Sequence, residues 1–311
     1  MTKLFNLDFI SVAAKNPTLV IKAKNSVRMF YLLQVVFAFI NLMKIGAVDP
    51  ERSGFLPIWP MSWAASIPYS LTAQIVAVAF VLASLLACFF WHKRLVKILV
   101  FLTFWQVHAL DSSFGYINHF YYLPLYALFF FMFLPDTNED GAEDYETSRK
   151  LMLVYWGAIA AIFATYTLSG FWKIYWGIHA LLVGRISSFS IMAFPEHVAR
   201  KTIFESREFF FSAFVINNPI LAWISYLGTI YVEFVAFFVA FKPRLHKIWA
   251  FIFIFMHVGI LLVIGIPFFE SVFVLCIILL NSPFTQKFSL LDLAFDLPLI
   301  GPIASWVFKR R

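Results

Sequence analysis

Long apolar runs separated by short polar clusters dominate the chain. They lack the strict alternation of a half-wet strand, and they are too long to be the roughly 10-residue segments of an outer-membrane barrel. Eight approach the roughly 20 residues that carry a helix across a bilayer: 26–46, 71–91, 95–112, 119–135, 151–174, 219–241, 247–266 and 268–282. The pattern predicts an all-α integral membrane protein, a polytopic bundle of about eight transmembrane helices forming one domain over 1–311. The first 25 residues are broken by Asn, Pro and Lys, so the first span reads as an uncleaved anchor.

Two polar stretches interrupt this pattern. DTNEDGAEDYETSRK (136–150) reads as a solvated connection. Within 175–218, FPEHVARKTIFESREFFFSAF predicts an amphipathic helix beginning near Pro195, lying at the outer interface, where it would cover a cavity or seal the bundle.

Composition agrees with the pattern: 62% of residues are hydrophobic, 20% aromatic and 13% charged. A soluble domain, a disordered chain and a disulfide scaffold are excluded. The formal charge of +7 raises the question of nucleic acid. The cations instead follow the spans: of 24 Lys and Arg, 17 fall on the side of the termini. These include Lys15, Lys22, Lys24 and Arg28, Lys93 to Lys97, Arg149 and Lys150, Lys242 to Lys247, and the last three residues. Five fall opposite: Arg52, Arg185, Arg200, Lys201 and Arg207. By the positive-inside rule both termini are expected in the cytoplasm, with lipid as the partner the basicity serves and no role for nucleic acid. Cys88 and Cys276 lie in apolar runs without metal-ligand spacing, and read as buried thiols.

An ionisable group at mid-span costs about 2.5–3.5 kcal/mol on insertion scales, so each one is a candidate site residue. His108 and Asp111 lie one turn apart near the outward end of the third span, and Asn118 and His119 open the fourth. Lys173 follows Trp172 near the outward end of the fifth. Glu233 and His257 lie deeper, roughly 12 and 15 Å from the cytoplasmic ends of their spans, a depth at which they could pair. Lys173 has two readings. It snorkels to the interface beside Trp172 and Trp176, or, partly desolvated, it serves as a general base. Ser169-Gly170 would let a helix or a flat ligand approach closely. HxxD is not a specific metal pattern, and no metal is expected.

Three ordered segments resemble a known family. ALDSSFGYINHFYYLPLYALFFF (109–131), TYTLSGFWKIYWG (165–177) and MHVGILLVIGIPFF (256–269) are similar to membrane segments of vitamin K-dependent γ-glutamyl carboxylase and the related bacterial HTTM domains. The resemblance spans most of 26–282. It implies a catalytic base at Lys173, an active-site histidine at His119, and another core histidine at His257. It also implies a membrane quinol, such as a vitamin K-type naphthoquinol, in an outward-facing pocket of a bacterial plasma-membrane protein; with His257, the polar positions His108, Asp111, Asn118, Trp172 and Glu233 are the expected substrate- or quinone-binding residues.

Carboxylases of the family continue into a large extra-membrane domain, whereas 311 residues end about 30 past the last apolar run. The resemblance therefore implies a carboxylase- or epoxidase-like enzyme acting on a peptide or small molecule, with an extra-membrane partner protein. Two other readings stay open. One is a non-catalytic maturation or immunity partner for a secreted peptide toxin. The other is a quinone-binding redox subunit of the DoxX kind.

Overall fold

The computed structural model describes residues 7–46, 54–115, 119–137, 143–284, 295–299 and 301. Every regular element among them is helical, and none is a strand. The helices are α1 (Asp8–Ala14), α2 (Pro17–Gly46), α3 (Tyr69–Phe90), α4 (Arg94–Ser112), α5 (Tyr122–Phe131), α6 (Tyr145–Leu182), α7 (Ala193–Glu205), α8 (Ser212–Asn217), α9 (Pro219–Phe234), α10 (Ala236–Val239), α11 (His246–Ile264) and α12 (Phe269–Val274), which runs on as a π-helix over Leu275–Leu280. The helices containing Pro17–Lys44, Tyr69–Phe90, Arg94–Ser112, Tyr145–Leu182 and Pro243–Ile264 are long and apolar enough to cross a membrane. Three shorter helices, Tyr122–Phe131, Pro219–Phe234 and Phe269–Leu280, are also apolar. Large side chains such as Leu82 and Phe89 on α3 and Phe255 on α11 are exposed, Phe255 by 75%. Such surface is consistent with an all-α membrane protein bathed in lipid.

The chain divides into two compact units. The first holds Leu7–Ile159 with Asn281–Phe284. Here α3 packs against both α2 and α4, and its buried Ala73, Ala77, Ser84 and Ala87 supply the small face that lets helices approach closely without a hydrophobic drive. Polar side chains in these helices satisfy themselves on the preceding turn: Asn41 donates to the Phe37 carbonyl at 2.8 Å, Thr103 to Leu99 at 2.9 Å, and Ser113 to Ala109 at 2.8 Å.

Three lysines of this unit are bonded at one end. Lys22 donates to the Ser282 carbonyl at 2.9 Å, Lys24 pairs with Glu143 at 2.8 Å, and Lys97 donates to the Pro135 carbonyl at 2.8 Å. The Arg94 N–H is taken by Asp136. The other end is tied by neutral bonds, Leu56 N–H to the Ser113 carbonyl at 2.8 Å and Tyr121 to Asn41 at 3.3 Å. One expectation changes here. The connection 136–150 is not solvated throughout, because Glu143 is buried against Lys24, their side chains 5% and 6% exposed.

The second unit contains Ala160–Leu280. α6 does not stop near residue 174; it continues to Leu182, and its 38 residues span about 57 Å. The amphipathic segment forms two helices instead of one, since Ser206 takes the left-handed conformation (φ 50°) and ends α7. The span expected over 219–241 is broken after Phe234. The cause is local. Thr167 Oγ accepts the Phe237 N–H at 2.8 Å and donates to the Glu233 carbonyl at 3.3 Å. It thus inserts into the bond that would join those two residues in a continuous helix. Gly265 (φ 71°) ends α11 in the left-handed conformation favoured by glycine, where its Cβ would also meet the Phe209 ring.

Candidate functional site

The stretch 167–173 of α6 docks onto the break in α9. Thr167 occupies the gap in the α9 ladder, and one turn on, Gly170 lies against α9 so closely that a Cβ would sit 2.5 Å from the Phe234 nitrogen. That approach brings Lys173 to Glu233. The ammonium donates to both carboxylate oxygens at 2.6 Å, with Ser169 3.5 Å from one of them. Glu233 is buried, its side chain 4% exposed, while that of Lys173 is 32% exposed. A charge-assisted contact of this kind offsets part of the cost of burying the two groups.

The pair lies on the wall of a cavity of about 880 Å³ within the second unit. α9 contributes Ser225, Thr229 and Glu233, spaced four apart along one face. α11 contributes Met256, Gly259, Ile260 and Val263, an apolar face at positions i, i+3, i+4 and i+7. α7 and α8 add Phe194, Phe214 and Val215 together with Glu196, His197 and Arg200. Phe194 stacks on Tyr226, ring centres 5.6 Å apart, and the Phe211 N–H donates to the Leu262 carbonyl at 2.9 Å, fastening α8 to the end of α11. The lining carries two cations and two carboxylates, Lys173 with Glu233 and Arg200 with Glu196 4.0 Å away. The cavity is therefore mostly apolar and balanced in formal charge.

The suggested pairing of Glu233 with His257 is not what forms. Glu233 takes Lys173, and His257 Nε2 shares a 2.7 Å hydrogen bond with the Tyr166 hydroxyl. Tyr166 stacks on Phe253 with ring centres 3.7 Å apart. Lys173 meets Glu233 although depths counted from the expected span ends separate the two, and it lies within α6, not at the helix terminus. Snorkelling alone therefore does not describe it. Trp172 is exposed, stacks on Tyr175 at 5.6 Å, and is not part of the cavity wall.

His108, Asp111 and His119 belong to the first unit. They cluster there: His108 packs on Tyr121 and Tyr122, His119 on Tyr122 at 5.0 Å, and Asp111 and His119 lie within electrostatic range of His108. His108 Nδ1 and Asp111 Oδ2 are buried without a hydrogen-bond partner among the described residues. Asn118 lies outside the described residues. No group of three or more His, Cys, Asp or Glu among the described residues could hold a metal ion.

Tyr166, Ser225, Tyr226, Thr229 and Arg200 were not anticipated. The Ser225, Thr229, Glu233 spacing was legible in the sequence as a polar stripe on an apolar helix. The partnership of Tyr166 with His257 had no local signal. Comparison with models of protein families, with curated proteins and with solved structures returned no match.

Proposed function

We propose that this chain is a polytopic membrane protein of the carboxylase-like HTTM kind, whose second-unit cavity takes a lipid-soluble quinol and whose Lys173–Glu233 pair accepts a proton there. The observation that carries the reading is the buried two-pronged ion pair on the wall of a large, charge-balanced, mostly apolar cavity. The residues fit such a ligand: hydroxyls of Ser225, Tyr226 and Thr229 offer hydrogen bonds, and the apolar face of α11 offers a surface for a ring or a prenyl chain.

A quinol bound there would supply an acidic hydroxyl and two electrons. The protein's part is to receive the proton. A ligand filling the cavity displaces water from the ion pair and raises the cost of its separated charges. Proton uptake by the pair ends with Glu233 protonated and Lys173 still cationic, facing the cavity. Lys173 is thus the group through which the proton enters, and Glu233 holds it. A peptide or small molecule is the substrate, met from the outward side with the help of an extra-membrane partner protein.

The reading includes eight spans with cytoplasmic termini in a bacterial plasma membrane. Its support is the excess of cations on the side of the termini and the bonding of Lys22, Lys24 and Lys97 at one end of the first unit.

The test is Lys173→Arg. A guanidinium can grip the Glu233 carboxylate with two prongs, so the pair and the fold persist. With a pKa above about 12 it cannot pass a proton near neutral pH. Loss of naphthoquinol-dependent modification in Lys173→Arg, at wild-type membrane levels, is the expected result. Full activity would reduce the pair to a structural bond and favour the non-catalytic partner reading.

A further inference from the structure

Glycine is a poor helix former, so one in a helix interior needs a reason. Three such glycines have theirs in packing: a Cβ would meet the Phe130 ring at 2.6 Å from Gly157, the α9 backbone at 2.5 Å from Gly170, and the Phe189 ring at 2.6 Å from Gly177. Gly259, in the middle of α11, has none. Its φ is not in the left-handed range, and a Cβ there would meet nothing within 4 Å. Gly228 is similar, but it is exposed on α9 away from the cavity, whereas Gly259 lines it.

What Gly259 does leave is space. On the apolar face formed by Met256, Gly259, Ile260 and Val263 it is the one position without a side chain, so the backbone is bare to the cavity. We infer that Gly259 is the seat of the ligand and sets its specificity: a neutral molecule lays a flat group against the α11 backbone at this position. Neutrality follows from the lining, where Lys173 lies with Glu233 and Arg200 with Glu196 at 4.0 Å, so the formal charges balance and favour no net ionic ligand. Flatness follows from the bare backbone, which a planar ring can contact over its whole face. The inference rests on the quinol reading, and a stable Gly259→Leu variant tells the two apart.

The experiment uses the full chain in detergent or nanodiscs, with dithionite-reduced 2,3-dimethyl-1,4-naphthoquinone as the probe, and the variants Gly259→Ala, Gly259→Leu and Gly228→Leu. Thermal unfolding without probe should show Gly259→Ala at or above wild type, because the added methyl meets nothing. Gly259→Leu should lower probe affinity by roughly tenfold or more, since the extra carbons occupy the ligand's volume. Gly228→Leu should bind as wild type does. A fall of several degrees in Gly259→Ala would show that the chain's own packing needs the glycine, overturning the inference. Undiminished binding by a stable Gly259→Leu would also overturn it while leaving the quinol reading standing. If wild type fails to bind the probe, both fall.

Discussion

The truncation of a lysine gripped by both oxygens of one buried carboxylate measures more than the loss of the lysine. Lys173→Ala would leave Glu233 buried without its counter-ion, and breaking a buried pair from one side costs about 3–5 kcal/mol; the partial exposure of Lys173 places this case at the lower end. Glu233→Gln should be damaging for the same reason. The double variant Lys173→Met/Glu233→Gln removes both charges and should recover most of the loss in thermal unfolding. Strictly additive losses would mean that the two side chains are independent. At this scale the sequence was informative about Lys173, because a cation inside an apolar run is conspicuous. It was silent about the partner, because that contact depends on Thr167 breaking α9 and Gly170 bringing it near.

Helix existence was legible from hydropathy, and helix ends were not. Bilayer thickness sets how long an apolar run should be, yet α6 keeps helical geometry through polar and aromatic residues to Leu182, since nothing there terminates it. Ser206 in a left-handed conformation splits the amphipathic segment without a glycine to announce it. The start of α6 was readable in principle. Asp144 accepts the Thr147 N–H at 2.9 Å and its hydroxyl at 2.7 Å, and these bonds hold its carboxyl below the usual carboxylate range. A carboxyl whose folded value is depressed adds stability above its unfolded pKa and loses it as pH falls through the folded value. The melting temperature of wild type should therefore exceed that of Asp144→Asn near neutrality, and the gap should close on acidification. A gap that widens toward low pH would contradict this account of the cap.

At the scale of the whole molecule, the proposed orientation has a direct check in a background with Cys88 and Cys276 replaced by serine. Arg200 and Glu146 are both exposed, their side chains by 81% and 64%. A membrane-impermeant maleimide applied to intact cells should label Arg200→Cys and spare Glu146→Cys; the reverse pattern would invert the topology. Membrane class was evident from the sequence because apolar excess is a bulk property. The division of the chain into two units was not, because its boundary falls inside the continuous helix α6. The bonds at the charged end of the first unit also impose an order in time. Lys24 and Glu143 are 119 residues apart, which at about 5–20 residues per second means a delay of roughly 6–24 s between the synthesis of the two. Lys22 meets its carbonyl across 260 residues. The N-terminal end of α2 is thus made early, while its bond to Ser282 can close only when nearly the whole sequence has been synthesised.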